Sequence, residues 1–142
     1  MNILINKEKI LKHFTYFKNW EDKYLYIIEL GEQLPSAPKN IRQSKYLIIG
    51  CQSRVWIMIR KKINSNFVKI YGDSDTLIIK GLLAIIFSIY QDLELKDIIN
   101  YKIFKLFNTL SLTKHLTPSR SQGLVSIIRT IQTQIKFLLR KN

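Results

Sequence analysis

Apolar and polar positions fall into three successive patterns along the chain. Over 7–17 the apolar residues Ile10, Leu11, Phe14 and Phe17 recur at the spacing of a helix face. Asn6 stands ready as the N-cap, and Ile5 and Ile10 are spaced as a hydrophobic staple. A second helix is predicted after Asn19. Glu21 and Asp22 sit in its first turn, where the helix dipole favours acids, and Trp20, Tyr24, Ile27, Ile28 and Gly31 form its stripe. Leu34-Pro35 closes it, and 35–44 reads as a polar loop.

The period then shortens from 3.6 to 2. A short apolar run at 46–49 stops at Gly50, 54–61 alternates with Val55, Ile57 and Ile59 on one side and Trp56 and Met58 on the other, and 67–71 follows the turn signal Asn64-Ser65-Asn66. Three neighbouring strands with short connections predict an antiparallel sheet. Helical spacing returns after Gly72. Asp73, Ser74 and Asp75 supply cap residues for a helix over 76–90 that is apolar nearly all round, the expected buried central helix. Shorter helices are expected at 95–100 and 102–110. Thr117-Pro118 is a cap followed by a first-turn proline, and Leu124, Ile127, Ile128, Ile131, Ile135 and Leu138 form the face of a last helix. Helices flanking a small sheet of about three strands give an α+β fold, with 1–142 expected as one domain.

Composition narrows the chemistry. With 142 residues the chain can bury a core large enough to fold without disulfides or metal. One cysteine, Cys51, excludes an intramolecular disulfide, and with only His13 and His115 beside it a four-ligand zinc site or an all-cysteine iron–sulfur site is excluded too. The charges at Lys7, Glu8, Lys9 and Lys12 interrupt any signal-peptide core, and the longest apolar stretch, 81–90, is about half the ~20 residues a membrane span needs. A soluble, cytoplasmic protein without membrane contact is expected.

Charge changes the picture more. The formal net charge is +13, an electrostatic footprint shared by nucleic-acid binders. Residues 98–142 hold eight Lys and Arg and no acid, yet the positives are dispersed and no nucleic-acid-binding signature accompanies them. The 24 Ile and 17 Lys against two Ala also fit drift toward AT-rich codons. The bland reading is a solvated basic face; the alternative is a basic nucleic-acid-binding module.

Cys51 is the strong nucleophile of the sequence, in Gly50-Cys51-Gln52-Ser53 between two strand candidates. Arg54, three residues on, could favour its thiolate; the bland reading, which spacing alone favours, is a small buried hydrophobe. Asp73 and Asp75 lack the further donors and closing glutamate of a calcium loop and read as helix caps. His115 is a candidate base with no sequence neighbour to orient it. The isolated glycines match no phosphate-binding fingerprint.

Several longer stretches resemble the SufE family of cysteine desulfuration proteins. They are Asn19-Trp20-Glu21-Asp22-Lys23-Tyr24-Leu25-Tyr26-Ile27-Ile28-Glu29-Leu30-Gly31 with Leu34-Pro35, then Gly50-Cys51-Gln52-Ser53-Arg54-Val55-Trp56, then Gly72-Asp73-Ser74-Asp75 with Lys80-Gly81-Leu82, and His115-Leu116-Thr117-Pro118-Ser119-Arg120-Ser121-Gln122-Gly123-Leu124, in order over almost the whole chain. The resemblance implies a fold similar to the IscU scaffold and a sulfur acceptor for iron–sulfur cluster biosynthesis. The donor would be a SufS-type cysteine desulfurase converting L-cysteine to L-alanine, and the recipient the SUF scaffold complex. The chain itself would not be an enzyme: Cys51 would carry a persulfide, pyridoxal phosphate would belong to the desulfurase, and this chain would bind no cofactor or metal. Asp75 is expected to cap the central helix and hold the cysteine loop. Arg120 is expected to contact the desulfurase or the loop, with His115 and Gln52 as further supporting positions and Trp56 as a packing anchor. The resemblance leaves oligomeric state open, a homodimer included. Three departures stand out: Arg54 where the family often has Gln, Glu94-Leu95 in place of a Thr-Pro helix start, and a far more basic surface.

Overall fold

The most apolar stretch of the chain becomes the helix on which the other elements pack. The structure is a computed structural model describing residues 6–141; Ile5, the expected staple residue, lies outside them. In chain order come α1 (Lys7–Tyr16), α2 (Trp20–Gly31), a 3-10 turn (Ser44–Tyr46), β1 (Val55–Lys61), β2 (Val68–Ser74), α3 (Leu77–Tyr90), α4 (Leu95–Asn100), α5 (Ile103–Thr109) and α6 (Pro118–Arg140). From Ile78 onward every residue of α3 except Lys80 is buried. Each large side chain so removed from water contributes roughly 1.5–3 kcal/mol.

Two glycines let α2 lie directly on α3. A Cβ on Gly81 would land on the Ile27 carbonyl, and one on Gly31 would lie 2.7 Å from the Gly81 nitrogen. In front of α2, α1 is anchored by Phe14 and Phe17 against Tyr26, whose hydroxyl lies 2.7 Å from His13 Nδ1. The expected caps form: Asn6 accepts from the Lys9 amide at 2.9 Å and Asn19 from the Asp22 amide at 2.9 Å.

The sheet has two strands, not three. β1 and β2 pair antiparallel from Val55 opposite Ser74 to Lys61 opposite Val68. The apolar run at 46–49 instead ends a 3-10 turn and makes one bridge, Leu47 to Trp56, with the Ile48 amide donating to the Val55 carbonyl at 2.8 Å. Gly50 then turns away with φ +98°, so the pairing cannot continue. The alternation in β1 holds on both faces: Val55 and Ile57 join the main core, while Trp56 and Met58 pack with Ile41 in a second small cluster.

A second correction concerns β2, which runs on through Gly72, Asp73 and Ser74. These residues therefore end a strand, and Asp75 does not cap α3. Thr76 is the N-cap, without a side-chain bond of its own, and its amide donates to Ser74 Oγ at 3.2 Å. Asp75 faces outward because two guanidinium groups compete for it. Glu94, by contrast, begins α4 without a side-chain cap bond, as the missing Thr-Pro start implies. Finally α6, started by Thr117 accepting from the Arg120 amide at 3.3 Å and by Pro118 in the first turn, buries Leu124, Ile127, Ile128, Ile131 and Ile135 and reaches β1. Its first turns pass beside the segment preceding β1, where Cys51 lies.

Candidate functional site

Cys51 sits in the connection between the Leu47 bridge and β1, half-buried, its side chain packed on the main core. Its Sγ donates to the Gly123 carbonyl at 3.5 Å. The residues on either side touch the same helix. Ser126 Oγ donates to the Gly50 carbonyl at 3.4 Å, and Ser119 Oγ donates to Gln52 Oε1. Ile49, two residues before the cysteine, is 90% exposed.

Burial pushes the Cys51 thiol above its ordinary pKa. A thiol half-removed from water resists ionisation, and a carbonyl oxygen opposite it accepts a proton bond but repels a thiolate. The activation expected from Arg54 does not occur. Arg54 Nε is held by Asp75 Oδ2 at 2.7 Å and its guanidinium lies 5.6 Å from the Trp56 ring. Its charge is thereby directed to a carboxylate rather than to the sulfur.

Around Asp75 a compact ionic group closes the other end of the loop. Arg42 Nη1 reaches Asp75 Oδ1 at 3.0 Å, Arg42 Nε reaches Asp73 Oδ2 at 2.9 Å, and the Arg42 guanidinium stacks 4.5 Å from the Trp56 ring. The neighbouring guanidinium groups hold the Asp75 carboxyl below the usual carboxylate range, the bond from Arg54 being the largest cause. Ser74 Oγ adds a 2.8 Å bond to the Arg54 carbonyl. Trp56 is thus the buried anchor expected of it, with a cation on its face.

Of the positions singled out in the sequence, the fold brings Cys51 and Gln52 onto α6, and Arg54 onto Asp75. Arg120 follows Ser119 in the first turn of α6 and forms no ion pair among the described residues. His115 stands elsewhere, stacked on Trp20 at 4.9 Å and 22°. Sequence reasoning missed Arg42, Ser119, Gly123 and Ser126, and it named Ser74 only as a cap residue, a part the structure gives it at the Thr76 amide. For Ser119, Gly123 and Ser126 a signal existed: small residues at i, i+4 and i+7 share one helix face. Arg42 left no signal, because its partners lie more than thirty residues away. A cleft of about 390 Å³, lined by Leu34, Pro35, Arg42, Asp73 and Lys80 among others, borders the ionic group around Asp75 but contains none of the expected site residues. Among the described residues, no group of three or more His, Cys, Asp or Glu could hold a metal, and no helix is long and apolar enough to cross a membrane.

The SufE family model, described as the Fe-S metabolism associated domain, matches residues 8–135. The cysteine desulfuration protein SufE of Wigglesworthia glossinidia brevipalpis is 48% identical over 141 residues, spanning 99% of this chain and 97% of that protein. The solution structure of a hypothetical protein from Thermus thermophilus superposes with a TM-score of 0.76 over 94% of this chain and 96% of that one. At 15% identity, that likeness is one of fold.

Proposed function

The chain belongs to the SufE family, and on that premise we propose that Cys51 is the residue on which it carries sulfur. The family sets the chain in iron–sulfur metabolism, in cysteine desulfuration, beside a cysteine desulfurase. The chemistry then needs one thiolate. Cys51 attacks the outer sulfur of a persulfide on the desulfurase; a new S–S bond forms at Cys51, the donor's S–S bond breaks, and the donor cysteine leaves as thiolate. The product, a Cys51 persulfide, delivers its outer sulfur to the cluster scaffold and returns as thiolate. Pyridoxal phosphate stays with the desulfurase in this reading, and the chain contributes no cofactor.

The observation that carries the proposal is the state of Cys51. It is the one cysteine of the sequence, so no neighbouring thiol can resolve its persulfide as a disulfide. Its half-burial and raised pKa disfavour the thiolate in the free protein, which shields it from the oxidation ladder. Docking supplies the activation by drawing the loop off α6. Gln52 and Arg54 tether that loop on the C-terminal side of Cys51, and Asp75 anchors Arg54. Arg120, without an ion pair among the described residues, is offered to the desulfurase, and His115 serves as a contact residue held flat by Trp20.

Incubation with a SufS-type desulfurase and L-cysteine tests this directly. Intact-mass measurement is expected to show added sulfur on the native chain, removable by reductant and absent from Cys51→Ser, together with faster alanine production. An unmodified native chain with its cognate desulfurase would refute the reading.

A further inference from the structure

Three consecutive loop residues meet three residues of α6 in reverse order. Gln52 meets Ser119, Cys51 meets Gly123 and Gly50 meets Ser126. The helix positions are i, i+4 and i+7, which place them one above another on a single face. The loop therefore lies antiparallel along the helix, one residue per turn, and each contact is made by a small side chain or by none. Space is matched to that arrangement. A Cβ on Gly50 would come 2.6 Å from Ser126 Oγ, so a side chain there would push that hydroxyl off the Gly50 carbonyl.

We propose that Ser119, Gly123 and Ser126 form a seating strip for the sulfur-carrying loop, with Ser119 and Ser126 as positioning residues that hold Cys51 inward through neutral hydrogen bonds. The proposal rests on the sulfur-carrier reading for its purpose but not for its test. The bonds flank the thiol without touching it, one on each side, so loss of either lets the loop leave α6 more often. Such bonds are individually weak, which suits a loop that a docking partner must lift. Gly123 completes the strip by offering a carbonyl to the thiol and no side chain in its way.

The test needs no desulfurase. In the intact free protein, Cys51 alkylation by iodoacetamide is followed across pH for native chain, Ser119→Ala, Ser126→Ala, Gln52→Ala and the Ser119→Ala/Gln52→Ala pair. Each single change is expected to speed alkylation roughly two- to tenfold, the range for loss of one hydrogen bond. The pH midpoint should fall toward that of a free thiol as the loop spends more time in water. Because Ser119 and Gln52 share one bond, their double variant should match the singles rather than multiply them. Ser119→Thr, which keeps the hydroxyl, should restore the native rate. Unchanged rates and midpoints in the variants, multiplicative behaviour of the pair, or acceleration that merely follows a lowered Tm would overturn the strip. If the strip passes and no persulfide forms with the desulfurase, the carrier reading fails alone.

Discussion

Two helix seams in this molecule are built on glycine, and they differ in what the glycine is for. At the α2–α3 crossing, a Cβ on Gly81 would land on the Ile27 carbonyl and one on Gly31 would lie 2.7 Å from the Gly81 nitrogen. Backbone faces backbone there, and neither side can give. At the seam between the cysteine loop and α6, a Cβ on Gly123 would lie 3.6 Å from Cys51 Sγ, an ordinary van der Waals distance. The first glycine permits contact; the second leaves room. A scaffold needs the former, because close packing of α3 carries the core. On the proposed reading the cysteine loop accepts an extra atom and is lifted off, which needs the latter.

The largest expected effect comes from closing the tight seam. Gly81→Ala should destabilise the fold by about 3 kcal/mol, the upper part of the overpacking range, because the clash is with backbone rather than with a movable side chain. Urea unfolding reads this as a lower midpoint at unchanged slope. A loss below about 1 kcal/mol would show that the helices can slide apart, and the contrast between the seams would collapse.

Gly123→Ala should do the reverse. Replacing a glycine inside a helix adds up to about 1 kcal/mol of stability, and the free thiol still fits beside the new methyl group. The persulfide does not fit as well, since its outer sulfur lies about 2 Å beyond Sγ and the methyl narrows that side of the seat. We expect the persulfide of the variant to be stripped severalfold faster by a fixed dose of reductant, followed by intact mass. Equal decay in the two proteins would place the outer sulfur on another side of Cys51.

These seams also mark how far the sequence could be read. Caps at Asn6, Asn19 and Thr117 use neighbours three residues away, and the structure has all three. The buried face of α6 and the burial of α3 followed from periodicity alone. Misreadings arose where a local pattern was settled by a distant partner. Leu47-Ile48-Ile49 has strand composition, but Gly50 diverts the chain toward Ser126 after one bridge. Gly72-Asp73-Ser74-Asp75 looks like helix punctuation, but Asp73 answers Arg42, Ser74 answers the Arg54 carbonyl and Asp75 answers both arginines. Cys51 itself was legible as a nucleophile in a loop; what restrains it, Ser119, Gly123 and Ser126, depends on where α6 passes and was not.

The smallest effect expected belongs to the charged end of the loop. Asp75, solvent-exposed, is tied to Arg54 at 2.7 Å and to Arg42 at 3.0 Å, so Asp75→Asn should lower Tm only slightly. The pH dependence identifies the cause. The folded carboxyl lies below its ordinary value, so its contribution is fully present above the unfolded carboxylate pKa of about 3.9 and is lost as pH falls through the folded one. The native chain and the Asp75→Asn variant should therefore differ by a constant small Tm from about pH 5 to 8 and converge below about pH 4; added salt should shrink the difference throughout. The neutral bonds to α6 carry no such signature. If Asp75→Asn instead freed Cys51 to alkylation as much as Ser126→Ala does, the loop would be held chiefly by its ionic exit, and the seam on α6 would be a resting place rather than a restraint.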